Sequence, residues 1–246
     1  MTDTICVSAE NISKRFLVFQ RERLFLRSIS SLLQNKSLMK EHWALRNVSF
    51  SLQKGGKLAI VGKNGSGKTT LLRILAGIYE TTSGNIKIEC GTRALFRFWV
   101  GFNGELSVTD NIYLFGAVHG LNRRILEPQV DRILEMAELI HLRFAQLKNL
   151  SSGQLQKLAF SVFFKTEGEF MIFDESLVFV DQSFAKKCEI YFKEIVSSGK
   201  TVIMTSHDNN FLRAYCQRAI WLDEGRIRMD GKVDDVLSEY EKFSQR

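Results

Sequence analysis

Apolar and polar positions follow two rhythms along this chain, and the places where one gives way to the other mark its elements. Ile5 and Val7, then Val48, Phe50 and Leu52, then Ile86 and Ile88, alternate with polar residues. A period of two puts one face of a strand inward and the other toward water. Residues 57–61, 170–173 and 201–206 are instead short, nearly unbroken apolar runs, the pattern of buried strands, with a further strand at 219–222 and an aromatic one at 95–98. Helical spacing of apolar residues predicts helices over 70–76, 111–118, 155–164 and 234–243. Pro128, the one proline, sits at the expected start of another helix running to about residue 140. Glycines mark turns at 54–56, 77 and 82–85. The sum is strand–helix alternation at both ends around a helical middle, with no internal repeat or low-complexity linker.

The stretch 17–42 breaks this rhythm. Arg21, Arg23, Arg27, Lys36 and Lys40 are interleaved with Phe25, Ile29, Leu32 and Leu33 at helical spacing. Such a basic amphipathic segment suits an anionic lipid interface or a partner surface. The alternative is a helix whose apolar stripe packs on its own domain. Composition bears on this choice only weakly. The net charge of +7 fits an anionic surface, lipid or nucleic acid, without deciding between them. With 246 residues, 45% of them hydrophobic and 25% charged, the chain has ample material for a core. No apolar run is long enough for a membrane span, and the first residues lack the layout of a secretion signal. Cys6, Cys90, Cys188 and Cys216 are scattered without a C-x-x-C pair, so neither a zinc site nor a disulfide framework is expected and the thiols are expected to be reduced.

Candidate chemistry concentrates in Gly62, Lys63, Asn64, Gly65, Ser66, Gly67, Lys68 and Thr69, between the strand 57–61 and the helix that opens with Thr70. Strand, glycine-rich loop and helix is the context in which G-x-x-x-x-G-K-[ST] binds phosphate. Glycines let backbone N–H groups point inward at anionic oxygens, and the helix adds its positive end. Lys68 is then placed for the β- and γ-phosphates and the Thr69 hydroxyl for Mg²⁺, so the implied ligand is a nucleoside triphosphate. The strand 170–173 ends in Asp174 and Glu175, where one carboxylate could ligate the metal and the next polarise an attacking water. Ser151, Ser152, Gly153 and Gln154 open a helix, a common cap that can also bind phosphate through backbone amides. His207 follows the strand 201–206, and Phe16 offers an aromatic face for a base, although each residue type is more often structural at such a place.

Taken together, these motifs and their order resemble the nucleotide-binding subunit of an ABC transporter over nearly the whole chain. The resemblance implies an α/β P-loop NTPase with a RecA-like core sheet, an antiparallel β subdomain and a helical subdomain at about 104–165, all in one nucleotide-binding domain spanning 1–246. Residues 62–69, with Thr70, look like the Walker A loop, and 170–174 like Walker B. Glu175 then falls at the catalytic carboxylate and His207 at the switch histidine, both acting with Lys68. Residues 150–154 look like the signature, which in this family closes the ATP site of a second copy in a head-to-tail dimer. Asp181 falls at the D-loop aspartate, and Phe16 at the adenine-stacking aromatic. The implied cofactors are ATP and Mg²⁺, with Thr69, Asp174 and Asn103 around the metal.

Departures narrow the subfamily. GFNGELSVTDNIY, residues 101–113, is similar to the GF-x-x-ELTG-x-ENIY stretch of ATPases that export O-antigen, capsule and teichoic-acid polymers. It puts Asn103 where a Q-loop glutamine is usual, one methylene shorter. Those ATPases also tend to have Ser at the position of Ser152 and a basic insertion ending in a Trp-Ala-Leu like Trp43-Ala44-Leu45. DESLVFVD, residues 174–181, is similar to their DEVLAVGD with Val180 replacing a glycine. The expected role is therefore ATP hydrolysis driving export of a lipid-linked polysaccharide. It implies separate membrane-spanning permease subunits and a peripheral position on the cytoplasmic face of the inner membrane, with anionic lipid or permease contact through 17–42 and no nucleic-acid partner. The competing readings are an exporter ATPase for a drug or another lipid, and a soluble ABC protein outside transport. The helix 234–243 leaves too little chain for a carbohydrate-binding sandwich, so saccharide recognition is expected to lie elsewhere.

Overall fold

The structure, a computed structural model, describes residues 4–19, 39–95, 102–118, 121–165, 168–174 and 182–244. The strands are β1 (Ile5–Phe19), β2 (Met39–Gln53), β3 (Lys57–Val61), β4 (Ser83–Ile88), β5 (Thr92–Leu95), β6 (Phe170–Phe173), β7 (Thr201–Met204), β8 (Arg218–Asp223) and β9 (Arg226–Lys232). The helices are α1 (Lys68–Leu75), α2 (Val108–Val118), α3 (Arg123–Leu126), α4 (Val130–Ala137), α5 (Ser152–Lys165), α6 (Gln182–Ser197), α7 (Asn209–Tyr215) and α8 (Val233–Ser244).

A six-stranded sheet in the order β5-β6-β7-β3-β8-β9 forms the centre, and only the β8–β9 pairing at its edge is antiparallel. Its inner strands read as continuous apolar runs because both faces are covered. Leu58, Ile60, Ile172 and Ile203 pack on one side with α1 and with the second sheet, β2-β1-β4. Ala59, Val61, Phe173 and Met204 pack on the other with α5, α6, α7 and α8. The helical middle has its own core of Val108, Ile112, Phe115, Ile133 and Leu134. α5 belongs to both bodies. Leu158 and Val162, four residues apart, enter the helical core, while Phe160 and Phe163 enter the core against the sheet.

The expected helix over 128–140 is broken. A 3-10 turn spans Glu127–Gln129, and α4 stops at Ala137 because Glu138 takes left-handed angles (φ 63°). The amides of Glu138 and Leu139 bond back to the Glu135 and Leu134 carbonyls (3.1 and 2.8 Å), which closes the helix end in the way a glycine usually does. What holds a glutamate there is charge: its carboxylate accepts from Lys157 of α5 and Lys187 of α6, each at 2.6 Å. Those bonds, Lys157 first, hold the Glu138 carboxyl below the usual range.

Two further expectations need correcting. The ends of 17–42 are strand, with Leu17, Val18 and Phe19 paired to Glu41, Lys40 and Met39 in the β1–β2 hairpin. Residues 20–38, which carry the amphipathic pattern, lie outside the described residues, as do 96–98 of the expected aromatic strand. The expectation of reduced thiols also fails for one pair: Cys6 and Cys90 are joined by a disulfide, Cα atoms 5.6 Å apart across 84 residues of sequence. Pairing of Val7 with Ile88 between β1 and β4 brings them together, a contact no local spacing reveals. Cys188 and Cys216 are buried, and burial pushes the Cys216 thiol up to about 12. Among the described residues no helix is long and apolar enough to cross a membrane.

Candidate functional site: a phosphate loop at the strand ends

β3 ends at Val61, and α1 begins at Lys68 after a loop whose close approaches only glycine permits. A Cβ on Gly62 (φ 152°) would sit 2.3 Å from the Leu222 carbonyl oxygen, and one on Gly67 (φ 105°) 2.5 Å from that of Ala44. The loop is thus wedged between β8 and β2. The β8–β9 turn braces it, with the Gly225 amide donating to the Ser66 carbonyl (3.0 Å). Ser66 and Lys68 are buried, at 4% and 7% exposure. Lys68 Nζ donates to the Gly62 carbonyl (2.7 Å) and the Lys63 carbonyl (3.3 Å), so the ammonium is curled beneath the loop.

Above the loop lies a cavity of about 210 Å³. Asn64, Gly65, Gly67, Lys68, Thr69 and Thr70 line it from below, and Phe16, His42 and Ala44 from the β1–β2 hairpin. Phe16 is half-buried, held edge-on against Tyr79 with ring centroids 5.6 Å apart. A flat ring at one end of a phosphate-binding loop can stack a base while the loop holds the phosphates.

Asp174 lies one residue past β6, on the same sheet edge. Its Oδ1 is 3.5 Å from Thr69 Oγ1 and accepts from Thr205 Oγ1 at 3.0 Å. Sequence reasoning passed over Thr205. It is 1% exposed, and the parallel pairing of Phe173 with Met204 sets it beside Asp174. Its only sequence signal is a hydroxyl closing an apolar run two residues before His207. The oxygen set of Thr69 and Asp174 fits Mg²⁺, which takes one or two protein oxygens and fills its octahedron with phosphates and water. Among the described residues no group of three His, Cys, Asp or Glu side chains could hold a metal alone, and a metal of this kind needs none.

His207 is exposed, three residues past β7 on the same edge, and Asp208 caps α7 by accepting from the Asn210 and Phe211 amides (2.9 and 3.2 Å). Glu175 and Asp181 lie outside the described residues. Asn103 is engaged locally. Its side-chain oxygen accepts the Glu105 amide (3.0 Å), which leaves that oxygen a second lone pair.

The turn around Asn103 is organised by Asn111, a second residue that sequence reasoning treated only as a helix start. Asn111 is fully buried. Its Oδ1 accepts the Asn103 amide (2.7 Å), and its Nδ2 donates to the carbonyls of Asn103, Leu106 and Ser107 (2.9, 3.2 and 2.9 Å). Asn111→Ala is expected to destabilise the chain by about 2–3 kcal/mol, because several buried backbone groups lose their partner at once. Urea unfolding measures this, and a change below about 0.5 kcal/mol would show that water replaces the amide.

Ser151, Ser152, Gly153 and Gln154 do not line the cavity. They open α5, where Gln154 Oε1 accepts the Ser151 amide (2.9 Å) and Ser151 Oγ accepts that of Gln154 (3.2 Å). This reciprocal cap keeps Ser151 and Ser152 exposed at a rigid helix start.

The ABC transporter profile matches residues 45–178, from β2 through the phosphate loop and past Asp174. Among curated proteins, the teichoic acids export ATP-binding protein TagH of Lactococcus lactis subsp. lactis is 32% identical over 244 residues, covering 99% of this chain and 52% of that protein. TagH of Staphylococcus saprophyticus subsp. saprophyticus is 31% identical, covering 97% and 89%. The O-antigen export system ATP-binding protein RfbB of Myxococcus xanthus is 34% identical over 197 residues, covering 80% and 45%. The chain thus spans about half the length of the first and third of these relatives. The fold is similar to that of the ATP-binding cassette MJ0796 in a dimeric post-hydrolysis state bound to ADP and Pi, with TM-score 0.72, 21% identity, and coverage of 92% and 98%. The α/β architecture of P-loop ABC ATPases expected from the sequence is the one found. With the profile spanning both the phosphate loop and Asp174, and a relative aligned along almost its whole length, this chain belongs to the ABC transporter family.

Proposed function

We propose that the chain binds and hydrolyses ATP to drive export of a lipid-linked polysaccharide, working as a head-to-tail pair with membrane-spanning subunits at the cytoplasmic face of the inner membrane. The observation that carries the first half is the cavity above residues 64–70, with Lys68 buried beneath the loop and the Thr69–Asp174–Thr205 cluster at its edge. Backbone amides and Lys68 hold the phosphates, and Phe16 receives the base. Thr69 and Asp174 would hold Mg²⁺, which would supply positive charge against the phosphates. Glu175 orients and deprotonates the attacking water, and His207 faces the γ-phosphate from the end of β7. Ser151 to Gln154, which do not line their own chain's cavity, close the site of a second copy through the amides at the start of α5. The relatives are named as teichoic-acid and O-antigen export proteins, which supports the polymer as cargo. Residues 17–42 then serve as the contact with the permease or the anionic lipid around it.

The test has two arms. The purified chain should hydrolyse ATP only with Mg²⁺ present, and absence of hydrolysis both alone and with its co-purified membrane partner would refute the first half. Depleting the chain in its host should leave lipid-linked polymer on the cytoplasmic side. Normal surface polymer after complete depletion would refute the second half.

A further inference from the structure

α8 reaches from the core to the phosphate loop. Val236 and Leu237 are fully buried, and Tyr240 and Phe243 pack on Trp221 with ring centroids 5.6 and 5.0 Å away. Trp221 is the register partner of Val61, the last residue before the loop. Phe243 then meets the loop itself, with Lys63 Nζ 4.5 Å from its ring centroid. The Arg228 guanidinium lies 4.3 Å from the rings of both Trp221 and Phe243. An ammonium within about 6 Å of a ring face is attracted by the ring's quadrupole, which an aliphatic side chain of similar bulk lacks.

Lys63 matters through its backbone. Its carbonyl accepts from the Ser66 amide (3.1 Å) and from Lys68 Nζ (3.3 Å). Fixing its side chain therefore fixes the carbonyl that shapes the loop's first turn and steers the Lys68 ammonium. α8 is itself anchored from the side of His207. Glu241 accepts from Arg213 at 2.9 and 3.1 Å and from Asn209 at 2.8 Å, both on α7. These bonds, Arg213's first, hold the Glu241 carboxyl below the usual range.

We propose that Phe243 is a positioning residue for the nucleotide site: its ring holds Lys63 and so presets the phosphate loop in the shape that binds the triphosphate. This rests on the ATP reading above and adds to it a residue about 180 positions downstream of the loop. The effect falls on affinity, because the loop's shape is needed before any chemistry begins.

The experiment compares the full chain with Phe243→Leu, Phe243→Tyr, Lys63→Ala and the Phe243→Leu/Lys63→Ala double variant. Three readouts are taken: ATP affinity, the split between kcat and KM, and amide exchange of residues 62–67 without nucleotide. Leucine keeps apolar packing on Trp221 but removes the ring face, so folding is preserved while the contact is lost. Phe243→Leu is expected to raise the Kd and KM for ATP about three- to tenfold with kcat within about twofold, and Phe243→Tyr to behave as the parent. Lys63→Ala should give a similar loss in ATP affinity, and the double variant no further one, since both break the Lys63–Phe243 contact that the proposal ties to the loop. Faster exchange at 62–67 in Phe243→Leu is expected whether or not nucleotide binds. If that exchange changes but no chain binds ATP, the bracing stands and the ATP reading falls. If exchange and KM both match the parent in Phe243→Leu, or if the losses of Phe243→Leu and Lys63→Ala simply add, the proposal is overturned.

Discussion

Lys68→Ala is expected to weaken ATP binding about a hundredfold or more, through loss of charge-assisted bonds to phosphate from a group that water cannot replace. The argument starts from burial. Lys68 is 7% exposed and its ammonium already lies against the Gly62 and Lys63 carbonyls, so it is held at the loop before ligand arrives. An exposed lysine would lose affinity mainly through long-range attraction, which salt screens. A buried one loses direct bonds, so the deficit should persist at high ionic strength. Titration with a fluorescent ATP analogue at low and high salt separates the two cases. Parental affinity at either salt would remove Lys68 from the site, and a deficit that vanishes with salt would make it a remote charge.

Glu175→Gln should give the opposite pattern, with ATP held normally and turnover reduced about 10²–10⁴-fold, the usual weight of a general base. Glutamine keeps the size and hydrogen-bonding reach of the side chain but takes no proton from water. Asp174, with Thr69 and Thr205 beside it, retains the oxygens assigned to the metal. ATP-bound dimers that fail to separate should therefore accumulate, visible by gel filtration with ATP and Mg²⁺. Hydrolysis at the parental rate would transfer the role of base away from Glu175, and His207 would be the next residue to substitute.

How much of this was legible in the sequence varied with the range of the interaction. The loop from Gly62 to Thr69 was legible because its conformation is written locally, in glycines at fixed offsets between a buried strand and a helix. Gly62 and Gly67 are where the backbone passes within a side chain's width of Leu222 and Ala44. Asp174 was legible for the same reason, as a carboxylate closing an apolar run. Thr205 was not, because its link to Asp174 depends on the register of two strands that a helix separates in sequence. Asn111 looked like an ordinary helix residue, and only burial shows that its amide ties Asn103 to Ser107. The end of α4 at Glu138 escaped notice since no glycine marks it. Lysines on two other helices do that work, at positions 157 and 187. The strand ends at Leu17 to Phe19 were hidden because the basic segment reads as one stretch from residue 17, although its helical spacing begins only at Phe25.

α5 has a mechanical consequence. Its first turn carries Ser151 to Gln154, while further along Leu158 and Val162 are seated in one packed body and Phe160 and Phe163 in another. A shaft gripped on two sides cannot turn with one grip alone, and close-packed interiors yield little. The ring of Phe163 meets that of Phe173 edge-on, centroids 5.2 Å apart, and Phe173 directly precedes Asp174. The exposed start of this shaft is thereby linked through packed rings to the strand end that carries Asp174. A smaller side chain at Phe163 would open a gap between this shaft and the strand end, so the size of the ring sets how firmly the two are joined.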